Sequence, residues 1–206
     1  MLPSSAEHPY LRVRLASGRV VETNLVGSYN ADNVMAALAV GEYFGVSVEE
    51  GVKAIEAYLP SNNRSQMTKT ERNTLIVDAY NANPTSMAAA IENFSNVEAA
   101  CKVALLGDML ELGEESMVEH VALIRSVASR GLAKVCFVGK EFMKASAEAG
   151  LGDCCATAYD SAADVADGVA ASDVAGSLLF FETSDALAQW LHDNPVDGAT
   201  VLIKGS

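Results

Sequence analysis

The sequence predicts an α/β fold: an open, mostly parallel sheet with helices on both faces, preceded by a β-hairpin and two helices. Two observations carry this. From residue 74 onward, short apolar runs of strand length alternate with longer helical patterns. The stretch from Thr74 to Ile91 shows the unit: an apolar run, a polar loop holding Asp78, Asn81 and Asn83, then Pro84 opening an alanine-rich helix pattern. With 206 residues and half the composition apolar, the chain can bury a sizeable core.

In chain order, residues 10–15 and 19–25 alternate in character on either side of Ala16-Ser-Gly18 and read as a hairpin whose open edges need a sheet to join. The segment from Gly27 to Gly41 reads as a helix with Met35, Leu38 and Ala39 on one face, and Asn30 and Asn33 lie about one turn apart at its start. Ser47-Val-Glu-Glu50 has capping-box form and opens a second helix through Val52, Ile55 and Leu59, ended by Pro60. The polar stretch Ser61-Asn-Asn-Arg-Ser-Gln66 reads as a linker, which divides the chain into residues 1–60 and 61–206. Beyond it the strands are expected at 74–80, 102–107, 133–139, 178–181 and 200–204, with helices near 85–96, 115–130, 140–149, 161–171 and 184–193.

Net charge is −13, from 14 basic and 27 acidic residues, and no basic stripe interleaves with aromatics, which argues against nucleic acid as a partner. The apolar runs stop short of the roughly 18 residues that span a bilayer, and no charged leader precedes an apolar segment, so a cytoplasmic protein without membrane contact is expected. Cys101, Cys136, Cys154 and Cys155 form no C-x-x-C pair, and His8, His120 and His192 are scattered, so no metal site is expected from them. The phosphate-binding motif G-x-x-x-x-G-K-[ST] is absent. Gly150-Leu-Gly152 lacks the third glycine of a dinucleotide fingerprint and opens no helix.

Two strand ends carry the chemistry. In parallel α/β folds ligands bind outside the carboxyl ends of the strands, and Asp78, Asn81, Asn83 and Thr85 sit there. Asp accepts from sugar hydroxyls, and Asn both donates and accepts. The competing reading is that Asn83, Thr85 or Ser86 caps the following helix. A second apolar strand ends in Gly107-Asp108 and leads into a helix carrying His120. If the two strands are neighbours, Asp78 and Asp108 present paired carboxylates able to hold Mg2+, orient a hydroxyl or receive an ammonium group; otherwise Asp108 satisfies loop amides and Glu111 is solvated. Arg64, in the linker, can reach a phosphate in bidentate fashion, although composition alone favours a solvated side chain.

Five ordered motifs resemble the Mur ligases: Gly27-Ser-Tyr-Asn-Ala-Asp-Asn33, Asn63-Arg64-Ser-Gln66, Asp78-Ala-Tyr-Asn-Ala-Asn-Pro-Thr-Ser-Met87, Leu106-Gly-Asp-Met-Leu-Glu-Leu-Gly113 and Leu202-Ile-Lys-Gly-Ser206. The third and fourth are characteristic of the branch that joins D-Ala-D-Ala to UDP-N-acetylmuramoyl-tripeptide in peptidoglycan precursor synthesis. The resemblance implies that residues 1–60 end a central ATPase domain and that 61–206 form a Rossmann-like C-terminal domain. It implies ATP and Mg2+ as cofactors, and an acyl phosphate attacked by the dipeptide's amine. The N-terminal domain, most of the central domain and its P-loop fall outside the matched part, so these residues alone are expected to be inactive.

Position by position, the resemblance places Asn30, Asn33, Arg64 and Asp78 at ATP, which reverses the solvated reading of Arg64. It places Asn81, Asn83 and Thr85 toward the dipeptide or the acyl phosphate. Asp108 is placed with these substrate-facing residues, and Tyr29, Tyr80 and His120 fall in supporting positions. Tyr29 departs from the family's usual His. Without the resemblance, the residues read as a stand-alone nucleotide- or metabolite-binding α/β module.

Overall fold

The computed structural model describes residues 1–2, 8–61, 64–148, 156–159 and 177–206. Strands β1 (Arg12–Arg14) and β2 (Val20–Glu22) pair antiparallel with Val13 opposite Val21, and Gly18 takes φ 87° in the connecting turn. The expected hairpin is present, but among the described residues it joins no larger sheet. Helices cover it instead. Leu11, Val13 and Val21 pack with Val34 of α1 (Asn30–Tyr43) and Val52 of α2 (Val48–Ala57).

The predicted inner face of α1 is incorrect. Asn30 and Val34 are its buried residues, Leu38 is half-buried, and Met35 and Ala39 are exposed. With apolar residues all round this helix, periodicity gave no direction, and contact with the hairpin decides the face. In α2 the Ser47–Glu50 capping box forms as expected and Val52 is buried, whereas Leu59 lies beyond the helix and is exposed.

The rest of the chain builds on a seven-stranded sheet. Its strands are β3 (Gln66–Lys69), β4 (Thr74–Asp78), β5 (Lys102–Gly107), β6 (Lys134–Val138), β7 (Ala156–Tyr159), β8 (Ser177–Phe181) and β9 (Thr200–Lys204), in spatial order β3-β4-β9-β5-β6-β8-β7. Every pairing is parallel except β3 with β4. The antiparallel edge strand β3 overlaps the expected linker at Gln66. It is short and mostly polar, and an edge strand needs no apolar face to be held by its ladder. The predicted helix at 161–171, and Cys154 and Cys155, lie outside the described residues.

One face of the sheet is covered by α3 (Pro84–Ser95), α4 (Ser116–Ala128) and α5 (Lys140–Glu148), which bury Met87, Ile91, Phe94, Ile124 and Phe142 against Ile76, Leu106, Phe137, Phe180 and Leu202. On the other face α6 (Ser184–Asp193) packs Ala186, Leu187 and Trp190 against Cys136, Leu179 and Phe181. Burial pushes the Cys136 thiol up to about 12, so it stays protonated as a core side chain. None of the described helices is long and apolar enough to cross a membrane.

Candidate functional site

The carboxyl ends of β4 and β9 meet in register, with Asp78 opposite Lys204. Lys204 ends an otherwise apolar strand and is 2% exposed. Its ammonium lies 2.9 Å from Asp78 Oδ2 and donates to the carbonyls of Asn81 at 3.2 Å and Asp78 at 3.4 Å. Three donors thus meet three acceptors, the condition for holding a charge out of water. The same contacts bind the loop after β4 to the end of β9. Ser206 adds to this: its hydroxyl accepts from the Ala82 amide at 2.8 Å. Gly205 permits β9 to run close to β5, since a Cβ there would stand 3.1 Å from Gly107 Cα.

At the seam with residues 1–60, Asp78 receives two further donors, one from the residue before β3 and one from the residue before α1. The Ser65 amide donates to Oδ1 at 3.3 Å and the Tyr29 hydroxyl to Oδ2 at 3.4 Å. Counting Lys204, three of roughly four acceptor positions on the carboxylate are filled. Burial pushes the Tyr29 phenol up to about 12, so it remains a neutral donor. Asn30 turns inward from the start of α1, donating to Val26 O and Ser65 Oγ at 2.9 Å each, and Asn33 donates to Asn30 Oδ1 at 3.2 Å.

Arg64 and Tyr80 are both exposed beside this cluster, and the guanidinium lies 3.4 Å above the ring centroid. Stacking fixes the plane of the guanidinium and leaves its edge of N–H donors directed away from the ring. The structure therefore gathers Tyr29, Asn30, Asn33, Arg64, Asp78 and Tyr80 in one neighbourhood, and the backbone of Asn81 belongs to it through Lys204.

Asn83 and Ser86 serve as a reciprocal helix cap. Asn83 Oδ1 accepts from the Ser86 amide at 2.8 Å, Ser86 Oγ accepts from the Asn83 amide at 3.1 Å, and Pro84 occupies the first turn of α3. Asn81 and Thr85 are exposed on either side of that cap.

Asp108 does not pair with Asp78. Strand β9 lies between β4 and β5, so the two acids end non-neighbouring strands, with Lys204 on the strand between them. The Asp108 carboxylate accepts from the amides of Glu141 and Phe142 at 3.0 Å each, at the positive end of α5. Gly139, at φ 128°, makes room: a Cβ there would stand 2.2 Å from the Asp108 carboxylate. His120 is fully buried behind this turn, where Nε2 accepts from the Met109 amide at 3.1 Å and Nδ1 donates to Ser116 O at 2.7 Å. Both ring nitrogens thus tie the imidazole to backbone, and it holds the loop in place. Among the described residues no three metal-ligating side chains converge.

Lys204 and Ser65 are the functional candidates that sequence reasoning missed. A lysine closing a buried apolar strand was a readable signal for Lys204. Both residues also fall inside motifs that carry the resemblance, Asn63-Arg64-Ser-Gln66 and Leu202-Ile-Lys-Gly-Ser206, which assigned them no role.

Comparison with known proteins gives the architecture a context. A family model described as "Mur ligase, glutamate ligase domain" matches residues 63–206. The UDP-N-acetylmuramoyl-tripeptide–D-alanyl-D-alanine ligase of Bacillus subtilis is 41% identical over 98 residues, covering 47% of this chain and 21% of that protein. Its counterpart in Treponema pallidum is 35% identical over 131 residues, covering 64% of this chain and 28% of that protein. A crystal structure of MurF from Acinetobacter baumannii superposes with a TM-score of 0.71 at 28% identity, covering 96% of this chain and 39% of that one. The chain thus spans between about a fifth and two fifths of the length of these relatives.

Proposed function

The chain belongs to the Mur ligase family, and from that premise we propose that it forms the nucleotide-closing jaw of an ATP-dependent amide ligase that joins D-Ala-D-Ala to UDP-N-acetylmuramoyl-tripeptide in the cytoplasm. The observation that carries this reading is the cluster around Asp78, which joins residues 1–60 to the strand-end rim of the sheet and sets Arg64 and Tyr80 beside it.

The residues present suit a nucleotide. Asp78 keeps an acceptor position for a ribose hydroxyl, and it is oriented by three donors before any ligand arrives. Arg64, held flat on Tyr80, offers a planar fork to a phosphate. Asn33, exposed at the start of α1, and Asn30 behind it face the same seam. Bound ATP supplies the phosphoryl group that activates the precursor's carboxylate. These residues bind, orient and exclude water around it.

A Mg2+ site does not fit the acids in place, because Asp78 is engaged by Lys204, Ser65 and Tyr29 and Asp108 by the α5 amides. No step is assigned to the metal through this chain. The dipeptide side of the rim is assigned to the exposed Asn81 and Thr85; Asn83 caps the helix that begins beside them, and Asp108 anchors the start of α5.

Calorimetric titration of ADP onto the chain tests the nucleotide assignment. Binding that weakens at least about tenfold in Arg64→Ala and in Asp78→Ala supports it. Equal affinity in all three proteins contradicts it.

A further inference from the structure

Ser65 is the most constrained residue of the seam. It is 4% exposed and takes φ 50°, the left-handed region that a residue with a Cβ enters at a cost. Four contacts hold it there. Its amide donates to Asp78 Oδ1, its carbonyl accepts from the Val26 amide at 3.2 Å, its hydroxyl accepts from Asn30 Nδ2, and the same hydroxyl lies 3.1 Å from the Tyr29 hydroxyl.

Donor and acceptor roles then run in one direction. Asn33 donates to Asn30, Asn30 to Ser65 Oγ, and Tyr29 to Asp78, so the Ser65 hydroxyl, already accepting from Asn30, donates to Tyr29. The chain of bonds ends on a carboxylate, which polarises each link toward it. Tyr29 reaches the cluster because Gly27, at φ 94°, carries no side chain; a Cβ there would stand 2.4 Å from the Tyr29 ring.

From this geometry we infer that Ser65 and Tyr29 together are positioning residues for the nucleotide site: they lock the backbone that aims Arg64 and the rotamer of Asp78 before any nucleotide binds. The inference rests on the nucleotide reading above for its purpose, and on this chain's own contacts for its mechanism. It gives Tyr29 a defined task. The phenol spans from Ser65 to Asp78, and the strained turn at Ser65 ties Arg64, by sequence, and Asp78, by hydrogen bond, to one residue.

The test uses Tyr29→Phe, Ser65→Ala and the double variant, with ADP as the probe and backbone amide exchange at Arg64 and Ser65 measured without nucleotide. Tyr29→Phe deletes one oxygen, and Ser65→Ala keeps both backbone bonds while deleting the hydroxyl. Each single variant is expected to bind ADP about tenfold more weakly and to exchange these two amides at least about tenfold faster. The double variant is expected to be no worse than the weaker single one, because both act through one chain of bonds. Additive losses, or wild-type affinity and exchange in Tyr29→Phe, overturn the inference. If the unaltered chain binds no ADP, the nucleotide reading fails for this chain. The exchange rates still decide the positioning role: acceleration in both single variants upholds the lock, and unchanged rates refute it.

Discussion

Lys204 Nζ sits 2.9 Å from Asp78 Oδ2, between register partners at the ends of two adjacent parallel strands separated by more than 120 residues of chain. The pair is both a structural clamp and the mount of the candidate nucleotide site. The ammonium is enclosed while the carboxylate keeps a side exposed, at 2% against 14% of the side chain. Removing the cation takes the ammonium donor from two carbonyls and leaves the carboxylate with Ser65 and Tyr29 alone.

Lys204→Met is therefore expected to lower the free energy of unfolding by about 2–4 kcal/mol, read from urea denaturation. Lys204→Arg should not restore the wild-type midpoint, because a guanidinium is larger than the enclosed ammonium and presents its donors in a plane. A midpoint unchanged in Lys204→Met would refute the clamp.

At α3 the geometry separates capping from ligand contact. Asn83→Ala should cost about 1 kcal/mol of stability, and Asn83→Asp or Asn83→Ser should recover most of it, since either accepts from the Ser86 amide. Thermal denaturation of the three variants checks this. Equal losses in all three would remove the cap from the explanation.

Gly139→Ala should destabilise the chain by at least about 2 kcal/mol, through the positive φ and the collision with Asp108 together. Asp108→Ala, which clears the space and loses the α5 amide bonds, should partly relieve Gly139→Ala in the double variant. Full additivity in a double-mutant cycle would show that the two residues do not meet.

The Tyr29 phenol gives a pH signature. Its value in the folded chain is raised to about 12 from 10.0, chiefly by burial. The folded chain then keeps a proton that the unfolded chain releases. The stabilisation is complete below pH 10 and is lost as the pH rises toward 12. Over that window the unaltered chain should lose about 2 kcal/mol more than Tyr29→Phe, which has nothing to titrate. Parallel stability curves for the two proteins would contradict the buried phenol.

Much of this fold was legible in the sequence because its central strands are buried on both faces and read as unbroken apolar runs. Strands 102–107 and 200–204 and the helix at 184–193 form where those patterns place them. Strand β3 was not legible, since Gln66-Met-Thr-Lys69 is held by its ladder to β4 and carries no apolar signature. The inner face of α1 and the helical cover of the hairpin were hidden for a related reason: both depend on which elements touch. The site was half legible. Asp78 and Arg64 stood out by motif, whereas Lys204 meets Asp78 through strand order, and Ser65 acquires its role from a backbone angle and partners at Asn30, Tyr29 and Asp78.

The most direct measurement is phosphate release by a chimera in which residues 63–206 replace the matching part of the Bacillus subtilis ligase. It would be supplied with ATP, UDP-N-acetylmuramoyl-tripeptide and D-Ala-D-Ala. Release that requires all three substrates and falls at least about a hundredfold with Arg64→Ala is the expected result. Release that ignores the dipeptide, or that persists unchanged in a folded Arg64→Ala chimera, would contradict the assignment of this chain as the nucleotide-closing jaw of the ligase.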